Sequence, residues 1–499
     1  MTTDDGRPAF APSTSLRATA GKQTKDNGRK GRTRTLRGNG MALGAENPQR
    51  KRWRIPLWAK ITIGAVIAYA ALIAFPHVYF GMKIRAELKR IRAEGSPVSL
   101  WDADAFYPSP APGQNAAGGM ALAFSAFGPV GVDLPVVGEA KLPPRNQPMP
   151  EAMTQSAAKY LADNAKALDL LRTATAMKEC RYPIQLSGGA GALLPHMGSM
   201  RLACRVLNLE AILAAQQRDT AKAADAVKTS LGVARTLSNE PLLISQLVRI
   251  ACDAISLQAL ERALSLAPFS EGELEEIAGA IQSEEARLDE GWLRATQMER
   301  CANFAVFRDP GGVFYMTFMT GYQPSLSQRV AMQLYGAVGG LAADRWTFLR
   351  TMRSVIAVQS EPFPARLAAA RAVEEEMKKM PPARMISRML LPAFSRACAE
   401  EATAMALLSA ARTATAVERY RLAKGALPEK LDDLVPKFIA SIPSDPFDGK
   451  PLRYARRPVG YVVYSVGPNL KDDGGVERER RDYGASYGPS YDVTFTVER

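Results

Sequence analysis

Carboxylates are the side chains of this sequence that could most readily do acid–base chemistry, and several of them are adjacent. The clusters are Glu284-Glu285, Asp289-Glu290, Glu374-Glu375-Glu376 and Glu400-Glu401. Two acids can divide the roles of general acid and general base when burial separates their pKa values. These clusters fall in segments with helical periodicity, and Arg287 follows Glu284 after one turn. Such a pattern is typical of a charged, solvent-exposed helix face, so surface charge is favoured over an acid–base site.

Other catalytic signatures are absent from the sequence. It contains no HExxH or Walker motif, and no GxGxxG after a strand. A histidine-centred site would need His196, because the second histidine, His77, lies in an apolar segment. His196 stands between a glycine-rich loop and a helix, and a structural role at the helix start is favoured. We therefore predict no catalytic residue and lean against an enzyme.

The five cysteines do not form a recognisable metal or redox motif. They are Cys180, Cys204, Cys252, Cys301 and Cys398. None has the CxxC or Cys/His spacing of a zinc site, and four of them fall in apolar helical stretches, where free cysteine behaves as a small hydrophobic residue. An oxidising compartment would permit one disulfide, but the sequence does not select the pair.

The chain carries a formal net charge of +14, and most of this charge lies at the N-terminus. Residues 1–54 hold 13 Lys or Arg against 4 Asp or Glu, a net charge of +9, which leaves +5 for the other residues. This tail has few large apolar residues, so we predict that it is disordered. A basic arm can contact nucleic acid, but a cytoplasmic tail that sets membrane orientation is favoured, and no nucleic-acid partner is expected.

One segment is long and apolar enough to cross a membrane. Residues 61–82 read ITIGAVIAYAALIAFPHVYFGM, without a formal charge, and about 20 apolar helical residues span a hydrocarbon core. Trp53, Trp58 and Tyr79 lie near its ends, as interfacial aromatics do. We predict a transmembrane helix over 55–82 in the inner (cytoplasmic) membrane. Basic residues flank both ends, but the long basic tail favours a cytoplasmic N-terminus and periplasmic C-terminal domains.

The remainder divides into three predicted parts. Residues 83–150 are a helical extension and a Pro/Gly-rich linker, residues 151–391 an α-helical domain, and residues 392–499 a small α+β module. Within the helical domain, two helices meet at the turn Arg218-Asp219 and resemble a tetratricopeptide-like hairpin. Only one such unit is visible, so a plain α-helical bundle is favoured. A capping box, Ser270 with Glu273, predicts a helix that extends to about Phe307.

The C-terminal module combines one long helix, closed by Gly425, with short strands. Residues 452–456 and 461–466 read as two strands, and the alternating segment YDVTFTV at 491–497 reads as a third. An Asp445-Pro446 turn and an Asp448-Gly449 turn precede the first strand. We predict that the long helix packs on a three-stranded antiparallel sheet.

The segments YRLAKGALPEKLDDLV, DPFDGKPLRY and YSVGPNLKDDGG, followed by Asp492, resemble in order the C-terminal domain of the major pseudopilin of bacterial type II secretion systems. The resemblance covers roughly the last hundred residues. It implies a bacterial envelope protein with a sheet whose loop binds calcium. By position, Asp472, Asp473 and Asp492 would be the metal ligands, with Asp482 as a further donor. Arg478, Arg480 and Arg481 would oppose a dication, and the alternative is an Asp-Gly turn without an ion.

The front of the chain departs from pilin-like proteins, because residues 54–60 contain neither a peptidase-processed glycine nor the following glutamate. We therefore expect a larger, single-pass membrane protein with a binding or scaffolding role, linked to a type II secretion or pilus-like apparatus. One alternative is an envelope hydrolase that uses Glu285, Asp289 or Glu299. The other is a periplasmic peptide-binding module with a groove lined by Arg205, Asn208 and Arg249.

Overall fold

The computed structural model describes residues 56–307, 325–391, 394–477 and 491–499. The predicted basic tail 1–54 lies outside these ranges, as do Arg478, Arg480, Arg481 and Asp482. Within the described ranges, residues 63–499 belong to one compact unit.

The described part of the chain is mainly helical, as predicted. Its α-helices are α1 (Leu57–Ala93), α2 (Ala103–Phe106), α3 (Ala117–Ala126), α4 (Glu151–Asp163), α5 (Ala165–Thr175), α6 (His196–Gln216), α7 (Thr220–Arg235), α8 (Leu243–Leu266), α9 (Glu271–Val306), α10 (Leu326–Ala337), α11 (Gly340–Val358), α12 (Ala365–Lys378), α13 (Met385–Leu390) and α14 (Phe394–Lys424). Short 3₁₀ helices cover Leu186–Gly191 and Leu431–Leu434, and the strands are β1 (Arg453–Arg457), β2 (Gly460–Ser465) and β3 (Val493–Val497).

Two of the described helices are long and apolar enough to cross a membrane. They are α1 and α8, and they differ in their surroundings. The most apolar stretch of α1 is exposed, whereas 56% of the corresponding stretch of α8 is buried inside the protein. Length and composition therefore identify both α1 and α8 as candidate membrane spans, and the two helices differ in how much of their apolar surface is buried.

Helices α6 to α9 form the centre of the helical part. Asp219 caps α7 by accepting a hydrogen bond from the Lys222 amide at 3.1 Å, so α6 and α7 form the predicted hairpin across Arg218-Asp219. At the start of α9, Ser270 and Glu273 form the predicted capping box. In the preceding region, Tyr107 and Met120 are fully buried, so the chain before α4 covers this core.

The C-terminal strands form the predicted three-stranded antiparallel sheet, in the order β1-β2-β3. Tyr454 pairs with Val463, which in turn pairs with Phe495. The helix α14 packs on β2, where the Tyr461 hydroxyl donates a hydrogen bond to the Ala414 carbonyl at 3.1 Å. The buried residue Phe495 belongs to the same hydrophobic core as the helices α6 to α9.

The turn between β1 and β2 requires glycine at one position. Gly460 has φ = +120°, and a Cβ atom there would lie 1.9 Å from the carbonyl oxygen of Val497. Only a residue without a side chain can adopt this conformation and tolerate this approach. Gly460 thereby allows β2 to start directly beside the end of β3.

Candidate functional site

The residues with the densest polar contacts in the C-terminal module surround the fully buried carboxylate of Asp445. Its Oδ1 atom accepts hydrogen bonds from the Phe447 amide at 2.9 Å and the Ser465 hydroxyl at 2.8 Å. Its Oδ2 atom accepts from the Val466 amide at 2.9 Å and from Arg453 at 2.7 Å. Asp445 therefore joins the turn before β1 to the end of β2, and it has a partner for each oxygen, as a buried charge requires.

Arg453, on β1, connects Asp445 to two further carboxylates. Its guanidinium group lies 2.5 Å from Asp448 and 3.6 Å from Asp472. Burial acts to raise the pKa of Asp448, but its hydrogen bonds with Arg453 and with the Lys450 amide lower this pKa overall. We call Asp445, Asp448, Arg453 and Asp472 the aspartate–arginine cluster. The sequence analysis did not identify Arg453 as a site residue, although it lies within the predicted first strand, eight residues after Asp445.

The predicted ligand Asp492 lies at the start of β3 and is buried. Its carboxylate accepts hydrogen bonds from the Gly475 amide at 2.7 Å and from the Asp473 amide at 3.4 Å. Burial raises the pKa of Asp492; these two amides act to lower it, and the negative charges of Asp473 and Asp472 add to the rise. Asp492 therefore closes the acidic loop, which we define as residues 467–477, onto the last strand.

The other two predicted ligands lie within the acidic loop. Asp472 accepts hydrogen bonds from the Tyr464 hydroxyl and from the Gly474 amide, both at 3.0 Å. Burial, followed by the hydrogen bond with Asp472, raises the pKa of Tyr464 to about 12. Asp473 accepts a hydrogen bond from the side-chain amide of Asn469 at 2.8 Å. The structure thus brings the three predicted aspartates to one loop and gives each of them protein donors.

The three predicted calcium ligands already have hydrogen-bond partners within the protein. Calcium requires six to eight oxygen ligands around one point, free to face the ion. Here backbone amides donate to Asp492, and the guanidinium group of Arg453 lies beside Asp472, where it supplies positive charge. Across the described ranges, no group of three or more His, Cys, Asp or Glu side chains is arranged to hold a metal ion. Calcium at Asp472, Asp473 and Asp492 stays a prediction.

The acids considered for a hydrolase have separate partners. Glu285 contacts Arg412 at 2.8 Å and accepts a hydrogen bond from Ser409 at 2.8 Å. Asp289 pairs with Arg366 at 2.9 Å. Glu299, whose pKa is raised by burial, accepts a hydrogen bond from Asn303 at 2.9 Å. Glu285 and Asp289 thus connect α9 to α14 and α12, whereas Glu299 and Asn303 lie four residues apart on α9 itself.

Two residues considered for a peptide-binding groove lie in the protein core. Asn208 is buried and donates a hydrogen bond to the Ile255 carbonyl at 3.1 Å. Arg249 is fully buried and forms an ion pair with Glu284 at 2.9 Å. Arg205, the third, is partly exposed. Asn208 and Arg249 therefore connect neighbouring helices and do not line a surface groove.

His196 has a structural environment, as the sequence analysis favoured. Its Nε2 atom lies 3.1 Å from a carboxylate oxygen of Glu240, and its ring stacks on Tyr182 with ring centroids 4.1 Å apart. The other oxygen of Glu240 accepts a hydrogen bond from Ser245 at 2.6 Å. A catalytic triad needs the histidine to contact the serine, whereas here the carboxylate separates the two. The group connects the start of α6 to the start of α8.

Comparisons of the chain with protein-family models, with curated proteins and with solved structures gave no match. Function is therefore argued below from the geometry of the chain itself, together with the pseudopilin resemblance of its C-terminal module.

Proposed function

We propose that the chain is a single-pass, membrane-anchored binding or scaffolding protein of a bacterial envelope, which acts beside a type II secretion or pilus-like apparatus. The exposed apolar surface of α1 carries this proposal. Ile67 and Leu72 are 63% and 71% exposed, and a helix surface of this length and composition is stable in lipid but not in water.

Of the two apolar helices, α1 is the one that we propose as the membrane span. α8 contains the buried ionisable residues Arg249 and Asp253, and Arg249 forms its ion pair with Glu284 of α9. Such buried polar residues suit a helix packed inside a protein core, whereas an isolated span in lipid would expose them at a high cost. The charge of +9 in residues 1–54 favours a cytoplasmic N-terminus.

The C-terminal module is proposed to present a binding surface. The edge of its sheet at β3 is engaged by the rest of the protein, because the Thr496 amide donates to Glu261 of α8. This contact opposes strand addition at β3. The exposed apolar residues Val459, in the β1–β2 turn, and Val476, in the acidic loop, suit a docking surface formed by loops.

Extraction of membranes at alkaline pH tests the anchor. The double variant Ile67→Arg/Leu72→Arg adds about 5 kcal/mol against insertion, and we expect it to leave the membrane pellet. The matched control, Val132→Arg/Leu193→Arg, places the same charges at exposed loop positions, and we expect it to stay in the pellet with the native protein. Retention of the α1 variant in the pellet would contradict the proposed anchor.

Affinity purification from detergent extract tests the scaffolding role. We expect the native chain and the control Leu193→Asp to capture secretion or pilus-like components, and Val459→Asp to capture fewer. A parallel purification in the presence of a chelator shows whether the capture of these components depends on calcium. A monomeric protein with hydrolytic activity, and without captured components, would refute this role and favour the hydrolase alternative.

A further inference from the structure

Helix α10 carries an apolar face that is directed away from the rest of the protein. Leu326, Val330 and Leu334 recur every four residues, and Val338 follows directly after the helix. Side chains at this spacing lie on one face of a helix. Their exposed fractions are 78%, 50%, 62% and 59%, in chain order. A helix on the surface of a soluble protein has the opposite arrangement, with its apolar side toward the core.

The rotation of α10 about its axis is set by its opposite face. The hydroxyl group of Tyr335 lies 3.3 Å from a carboxylate oxygen of Asp344 in α11 and also within hydrogen-bond distance of the carbonyl oxygen of Ala383, so its one proton is shared between these two acceptors. Asp344 is itself fixed, because it accepts hydrogen bonds from the amides of Ile386 and Ser387 at the start of α13. The apolar face of α10 is therefore held outward by polar contacts on its inner side.

The end of α10 meets α1 at the point where α1 passes from an exposed to a packed environment. His77 Nε2 lies 3.0 Å from the carbonyl oxygen of Ala337. Gly339, with φ = +79°, lies so close to α1 that a Cβ atom there would be 2.6 Å from the Cβ atom of Pro76. Farther along α1, Glu87 and Ile91 are buried against the protein.

The residues around this junction have the composition of a membrane–water interface. The ammonium group of Lys83 lies 4.5 Å from the ring centroid of Tyr79 and 5.4 Å from that of Trp346. Aromatic residues and lysines are enriched at the level of lipid headgroups. The C-terminal end of the apolar face of α10 thus lies beside α1, at the level where α1 would leave the lipid.

We propose that α10 is a second membrane contact, an interfacial helix whose face of Leu326, Val330, Leu334 and Val338 enters the lipid surface beside the anchor. This inference rests on the proposed membrane anchor and adds a lipid-binding surface to it. An amphipathic helix of this kind typically buries its apolar face about 5–10 Å into the boundary between headgroups and acyl chains. Two contacts, at α1 and α10, would fix the orientation of the protein relative to the membrane.

Spin labelling of the full chain in vesicles of phosphatidylethanolamine and phosphatidylglycerol tests this proposal. The natural cysteines are all buried, so a cysteine-directed label should react at an introduced surface position. Three variants suffice: Leu334→Cys reports on α10, Ile67→Cys on the anchor, and Val459→Cys on an exposed turn of the sheet. Collision of the label with oxygen and with a water-soluble nickel chelate measures depth in the bilayer, and Val330→Cys repeats the α10 measurement.

We expect the labels at Leu334→Cys and Ile67→Cys to collide more often with oxygen than with the nickel chelate, and the α10 label to lie about 5–10 Å below the headgroups. We expect the label at Val459→Cys to collide more often with the chelate. An aqueous α10 label together with a lipid-embedded anchor label would overturn this inference alone. An aqueous anchor label would overturn the proposed function as well. An α10 label shielded from both reagents would mean that protein covers the helix, and would overturn the lipid contact.

Discussion

Replacement of Asp445 by asparagine should loosen the end of the C-terminal sheet. The buried carboxylate accepts four hydrogen bonds, from Phe447, Ser465, Val466 and Arg453. An asparagine can accept with its one oxygen, but its NH₂ group would then face two of these donors. The substitution also removes the negative charge that pairs with Arg453. Loss of one partner of a buried ion pair costs about 3–5 kcal/mol, and the partial exposure of Arg453 favours the lower end.

Asp448→Asn is the matched control, because Asp448 binds the same guanidinium group but its side chain is 19% exposed. Solvent-exposed ion pairs contribute at most about 1 kcal/mol. Hydrogen exchange, measured by mass spectrometry on peptides covering residues 443–466, follows local opening of this region. Since 1.4 kcal/mol corresponds to a factor of about ten, we expect exchange to accelerate about a hundredfold in Asp445→Asn and about fivefold in Asp448→Asn. Equal acceleration in the two variants would refute the importance of burial for this cluster.

Three further results are expected. Gly425→Ala should cost about 1 kcal/mol, because a Cβ atom at Gly425 meets nothing within 4 Å. Gly460→Ala should destabilise the β1–β2 hairpin by several times this amount, because a Cβ atom there would clash with the carbonyl oxygen of Val497. Equal thermal stability of the two variants would contradict this expectation. Burial raises the pKa of Glu401 to about 8, although Arg366 acts to lower it. Its contribution to stability should therefore be complete below its ordinary pKa of 4.5 and be lost as the pH rises through about 8. Glu401→Gln should flatten this pH dependence of the free energy of unfolding, measured by urea titrations, and an unchanged pH profile would contradict this expectation. Asp492→Ala should lower the melting temperature in chelator, because it removes the carboxylate that accepts hydrogen bonds from the Gly475 and Asp473 amides. An unchanged melting temperature in chelator would contradict this, and a further loss seen only with calcium would establish the predicted ion site.

Several elements could be predicted from the sequence because their physics is local. Ser270 and Glu273 form both hydrogen bonds of the capping box at the start of α9, since the two residues lie within one helical turn of each other. Gly425 follows the end of α14 with φ = +70°, a conformation that glycine adopts at little cost. The alternation of apolar residues at 491–497 likewise predicted the last strand, β3.

Composition alone does not distinguish the two helices that could span a membrane, whereas their packing differs. Both α1 and α8 have the length and hydropathy of a span, and they differ in what surrounds them. The sequence analysis selected the first segment alone, and it did not identify α8 as a competitor. It also did not single out α10, because the direction of an apolar helix face depends on the residues packed against the opposite face.

The sequence by itself indicated the mainly helical character of the chain, the capping box of α9, the three strands and the presence of an apolar segment, because each depends on residues within a few positions of one another. Only the tertiary structure decided the partners of the charged groups. Arg453 contacts Asp472 across 19 residues, and Arg366 contacts Asp289 across 77. A buried charge is stable only beside a specific partner, and the identity of that partner follows from how helices and strands pack, which no local pattern encodes.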